Sequence, residues 1–159
     1  MKQLLFAVFL IQVAFLSPKY HIKKIWLFSK TQFAGATPKT PGGKPASGAT
    51  TTLLCFLEAS KDKPTPHWQT AYFNGKQYSV NALAITEDSV EVGTDKSTKI
   101  PIILKPDAGS KLIELELVAV ENNTPRNADG FILEGRFNKK PAKLRSDGPV
   151  VELSPVFMP

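Results

Sequence analysis

One cysteine and two histidines occur in 159 residues, and each scarcity excludes something. A disulfide within the chain needs two thiols. A zinc site made only of Cys and His needs four ligands, and the chain supplies 1 + 2 = 3. After residue 17 no stretch sustains an apolar period of 3.6, so no amphipathic helix is expected. The Gly-x-Ser-x-Gly elbow of serine hydrolases and the His-Glu-x-x-His helix of zinc proteases are both missing. Gly42-Gly43-Lys44-Pro45 fails as a phosphate loop. Pro45 stands where Ser or Thr is required, Pro38 takes the place of the first Gly, and Pro45 lacks the N–H that an anion cradle uses. His21 and His67, the only imidazoles, read as surface residues. Cys55 lies within Leu53-Leu-Cys-Phe-Leu57 and reads as a small buried hydrophobe. The expectation is a protein that is not an enzyme and has no cofactor or metal.

The composition is that of a single globular domain, with 42% hydrophobic and 21% charged residues. Net charge is 20 − 14 = +6, unevenly spread. Residues 1–57 carry seven Lys and no acid, residues 58–135 eight basic and twelve acidic residues, and residues 136–159 five basic and two acidic. Two basic ends thus flank an acidic middle. The lysines are scattered and no nucleic-acid reader motif accompanies them, so nucleic acid is not an expected partner. Lys139, Lys140, Lys143 and Arg145, around Asn138 and Pro141, form the densest basic group and read as a solvated turn.

Lys2 is followed by Leu4–Leu16, an apolar run of 13 residues broken only by Gln12. This suits a signal peptide over residues 1–17 and is shorter than the roughly 20 residues a spanning helix needs. Residues 18–159 are then one β domain, exported to a periplasmic or extracellular space. Phe15 spoils the small-residue cleavage pattern, and Lys19, Lys23 and Lys24 follow the run. The alternative is an uncleaved segment that tethers the chain to a membrane.

Turn residues punctuate the remainder at short intervals, with β-branched, aromatic or alternating segments between them. Strands are expected over 22–34, 51–58, 68–73, 76–85, 89–92, 100–104, 111–121, 131–137 and 150–153. The run 51–58 is apolar enough to be covered on both faces. In 111–121, Ile113, Leu115, Leu117 and Ala119 alternate with Glu114 and Glu116. Residues 36–50, with three Pro and three Gly, read as a flexible loop. Eight or nine strands suggest a single-domain antiparallel β-sandwich, immunoglobulin-like in general architecture, with a closed β-barrel as the alternative. Asn122-Asn-Thr124 is a formal glycosylation triplet and marks a surface loop.

Asn74-Gly75 is the strongest hairpin signal. If these two residues form the turn, Phe73 pairs with Lys76. Trp68, Thr70 and Tyr72 then share a face with Gln77, Ser79 and Asn81, an uncharged surface of aromatics, amides and hydroxyls. Rings stack on sugars and amides orient them, so this face resembles, in chemistry only, that of sandwich carbohydrate-binding modules. A three-residue turn shifts the register by one and sends Trp68, Thr70 and Tyr72 to the core, the usual place of a Trp and a Tyr in a small sandwich. The leading expectation is a binding or structural accessory protein whose partner is a glycan or another envelope or extracellular protein. Alternatives are carbohydrate binding through the hairpin face and a barrel that carries a small apolar ligand. An enzyme built from loop carboxylates is the reading from another class.

Overall fold

A computed structural model of the chain describes residues 19–33, 48–121 and 129–157. The N-terminal run, most of the Pro/Gly-rich loop and the glycosylation triplet lie outside the described residues. A short turn at Lys19–His21 leads into eleven strands: β1 Ile22–Phe33, β2 Ala49–Ser60, β3 His67–Phe73, β4 Lys76–Ala84, β5 Val90–Thr94, β6 Pro101–Leu104, β7 Ser110–Ala119, β8 Phe131–Phe137, β9 Lys140–Ser146, β10 Val150–Glu152 and β11 Val156–Phe157. The fold is all-β. Eight strands form one curled sheet in the order β10-β1-β2-β7-β4-β3-β8-β9, and β11 extends β10's side of β1. The result is a half-barrel. β5 and β6 form a separate two-stranded sheet.

Alternation along each strand divides the side chains between the two faces. The concave face gathers Ile25 and Leu27 of β1, Cys55 and Leu57 of β2, Ile113, Leu115 and Leu117 of β7, Phe131 and Leu133 of β8, and Ala142 and Leu144 of β9. On the convex face a second core unites Trp26 and Phe28 of β1, Phe56 of β2, Leu112 of β7, Leu104 of β6 and Leu153. The β5–β6 hairpin covers that face with Val90, Val92 and Ile102. β2 therefore lies between β1 and β7 with both faces covered, as its unbroken apolar sequence requires.

Two strands escape the alternation argument. Lys140–Ser146, expected as a solvated turn, is strand β9. Its outward residues Pro141, Lys143 and Arg145 dominate its composition, while Ala142, Leu144 and Ser146 are buried. Only Asn138 and Lys139 form the turn, with φ of 50° and 64°. The second is β11, a two-residue strand beyond Pro155. β2 also begins at Ala49, two residues earlier than expected.

Candidate functional site

The Asn74-Gly75 turn has two residues. Phe73 pairs with Lys76, Tyr72 with Gln77, Ala71 with Tyr78 and Thr70 with Ser79. Asn74 and Gly75 have φ of 48° and 73°, both positive as a type I′ turn demands. Thr70, Tyr72, Gln77, Ser79 and Asn81 thereby share the convex face. Trp68 does not join them. It is 2% exposed and packs in the concave core with Ala71. A bulge between Trp68 and Thr70 is the cause: opposite β8, Trp68 pairs with Gly135 and Thr70 with Glu134, so Gln69 is extra. One inserted residue inverts the alternation on its N-terminal side. Gly135 permits it, since a Cβ there would collide with the His67 carbonyl and the Trp68 Cα. On the remaining face Tyr72 is half-buried, and Asn81 Nδ2 donates to Glu116 Oε2 at 3.4 Å.

Cys55 is fully buried, and burial pushes its thiol pKa well up. His67 opens β3 and is exposed. Glu114 and Glu116 lie on the convex face of β7, and among the described residues no group of three His, Cys, Asp or Glu could hold a metal ion. Among the described residues the most buried charge is Glu58, 0% exposed in β2. Lys24 Nζ lies 3.1 Å from its Oε2 and donates to Asp107 Oδ2 at 2.8 Å. The Asp107 N–H donates to Glu58 Oε1 at 3.2 Å. This knot joins β1, β2 and the β6–β7 connection. Burial, the largest influence on Lys24, lowers its pKa, but hydrogen bonds and charge from Asp107 and Glu58 together outweigh it and raise it. The hydrogen bond from Lys24, followed by its charge, holds the Asp107 carboxyl below the ordinary range.

A cleft of about 370 Å³ opens elsewhere, lined by Ser29, Thr31 and Phe33 of β1, Thr51 of β2, Lys96, Glu152 of β10, Leu153 and Pro155. The strand period places Ser29, Thr31 and Phe33 on the same face as Leu27, and Thr51 on that of Leu53 and Cys55. Glu152, paired with Ser29, joins them, so five of the eight lining residues continue the concave face past the end of its apolar core, while Lys96 of the β5–β6 turn, Leu153 of the convex core and Pro155 close the cleft from the sheet edge. Thr31 Oγ1 and Thr51 Oγ1 are 3.2 Å apart, and Lys96 Nζ donates to Glu152 Oε2 at 2.6 Å. Phe33 stacks on Phe157 with centroids 5.2 Å apart and planes at 15°. Phe157 is 73% exposed. The site is a half-barrel mouth with hydroxyls, an ion pair and an aromatic rim.

Sequence reasoning placed Ser29, Thr31, Phe33 and Thr51 within or beside strands but singled out none of them. The lining joins positions 29–33 to 51 and 152–155 through the pairing of β1 with β2, β10 and β11, and to 96 through the bridge of Asp95 to Leu153 and the hydrogen bond from the Lys96 N–H to the Glu152 carbonyl.

Comparison with protein-family models, with curated proteins and with solved structures finds no match to this chain. The class the fold and site define is an all-β half-barrel with a polar cleft at its mouth.

Proposed function

We propose that the protein is an exported, non-enzymatic binding module that holds a small polar ligand in the mouth of its half-barrel. The observation that carries this reading is the cleft between β1, β2 and β10. Its volume of about 370 Å³ falls within the range of about 300–1,000 Å³ for ligand sites, which favour barrel mouths. Its groups suit binding. The hydroxyls of Ser29, Thr31 and Thr51 both donate and accept, while Lys96 and Glu152 supply one charge of each sign. Phe33 and Phe157 offer apolar rings at the rim, on which a sugar ring or similar flat face stacks. The ligand class is thus a polyhydroxylated ring, free or on a glycan of an envelope or extracellular partner. A barrel that carries a wholly apolar ligand fits less well, because Trp68, Phe131, Leu115 and Leu133 fill the concave side. Of the two finer architectures, a barrel suits this function better than an immunoglobulin-like sandwich, since most of the cleft lining lies on the concave side of one curled sheet.

Calorimetry of the whole protein against mono- and oligosaccharides tests the reading. The double variant Thr31→Val/Thr51→Val is expected to weaken binding at least tenfold, and Tyr72→Ala to leave it unchanged. The reverse outcome moves the site to the hairpin face. Failure of the wild-type protein to bind any sugar refutes the ligand class.

A further inference from the structure

The two ends of the half-barrel differ in charge. At one end the start of β1, the β2–β3 connection and the β8–β9 turn meet. Tyr20 packs edge-on against Trp68 and Phe137, with centroids 6.0 and 5.5 Å away, and its hydroxyl accepts from the Lys143 N–H at 3.4 Å. The Lys61 N–H donates to the Gly109 carbonyl, and Lys23 Nζ donates to Ser110 Oγ. His67 pairs with Arg136, and Phe137 with Lys140. Exposed Lys23, Lys61, Lys63, Arg136, Lys139 and Lys140 therefore share this end. Asp62 is the acid among them. Asp107 and Glu58 are engaged by Lys24, and Glu134 by Lys143 at 3.4 Å. Glu87 and Asp88 leave the sheet at this end too, because β4 ends where β7 begins, with Ala84 paired to Ile113; exposed Lys105 and half-buried Lys111 beside them offset both charges. The opposite end carries exposed Lys76 against Glu121 and Asp129, with Asp147 paired to Arg145.

The chain also enters the fold at the basic end. Lys19 leads into β1 there, and the apolar run Leu4–Leu16 immediately precedes it in sequence. Whatever holds that run at a bilayer, during export or afterwards, brings this end of the barrel to the surface and keeps the other away. Near an anionic leaflet each exposed Lys or Arg strengthens attachment about fivefold, and the effect dies within a Debye length of about 8 Å at physiological salt. Charge at the far end is too distant to contribute.

We propose that the basic end of the half-barrel, centred on the β8–β9 turn and the β2–β3 connection, docks on anionic lipid headgroups. The proposal does not depend on the cleft at the mouth.

Co-sedimentation of the full chain with vesicles tests it, using phosphatidylcholine alone and a 7:3 mixture with phosphatidylglycerol. The apolar run adds equally to both, so the readout is the ratio of the two partition coefficients. That ratio is expected to exceed ten in 50 mM NaCl and to approach one in 500 mM. Lys139→Glu/Lys140→Glu is expected to lower it at least tenfold, and Lys30→Glu/Lys76→Glu, away from this end, to leave it within twofold. Should the first variant not fold, Lys61→Gln/Lys63→Gln reads the same surface. Equal binding to both vesicles overturns the proposal, as does equal loss in rim and control variants, which signals net charge alone. A preference for a soluble sulfated glycan that displaces the protein from anionic vesicles at equal charge concentration overturns it in favour of glycan binding.

Discussion

At the scale of single residues, Gly135 and Cys55 are the most constrained. A Cβ at Gly135 would meet backbone, the Trp68 Cα at 2.8 Å among it, and backbone cannot rotate away as a side chain can. Gly135→Ala is therefore expected to cost about 3 kcal/mol or more, read as a fall in urea midpoint, through overpacking and loss of the bulge. If the midpoint holds, the bulge does not need glycine. Cys55 is predicted to stay unmodified by a thiol reagent at pH 8, because burial holds it as the neutral thiol and blocks access. Labelling should follow global unfolding, and fast labelling of native protein would contradict its position. Burial of Cys55 was legible from its apolar neighbours. Burial of Trp68 was the default for so large a ring, but the bulge that achieves it with a two-residue turn was not legible, because it depends on β8, more than 60 residues away in sequence.

At the scale of elements, turns and the Lys24–Glu58–Asp107 knot decide how strands are held. The Asn138-Lys139 turn puts Lys139 at φ 64°, where an L side chain is strained by about 1 kcal/mol. Lys139→Gly is expected to raise the melting temperature by a few degrees, and a lower value would show that the lysine side chain stabilises the turn. In the knot, Lys24→Met leaves the buried Glu58 carboxylate without its cation and is expected to cost about 3 kcal/mol. Lys24→Met/Glu58→Leu should cost less than Lys24→Met alone, and a double-mutant cycle by chemical denaturation measures the difference. The pH dependence has two limbs. The lowered Asp107 carboxyl adds stability above the ordinary aspartate value of about 4, lost as pH falls through the lowered folded value. The raised Lys24 adds stability below about 10.4, lost as pH rises through the raised folded value. Asp107→Asn should flatten the acid limb and Lys24→Met both limbs, with urea midpoints from pH 2 to 11 as the measurement. Elements are legible in the sequence where strands alternate, as in β7, and where Asn-Gly sets the hairpin register. β9 is not legible, because its outward Lys, Pro and Arg hide an inward row of only three small or apolar residues.

At the scale of the whole molecule, Trp26 and Trp68 lie in the two cores on opposite faces of one sheet. β1 and β2 contribute to both, so the two cores should melt together. Trp26→Phe and Trp68→Phe each leave one fluorescent reporter, and their unfolding curves, normalised to each variant's own stability by circular dichroism, are expected to coincide. A separate early transition of Trp26 would mean that the β5–β6 cover opens on its own. Composition and alternation alone determined the all-β class, most strand positions, the central place of β2 and the Asn74-Gly75 turn, because these depend on residues close in the chain. Only the tertiary structure decided that the sheet curls into a half-barrel, that a bulge turns Trp68 inward, and that Ser29, Thr31, Thr51, Lys96 and Glu152 share a cleft. Each of these depends on which strand lies beside which. Strand neighbours are chosen by long-range packing of both faces at once, and no local sequence pattern carries that choice.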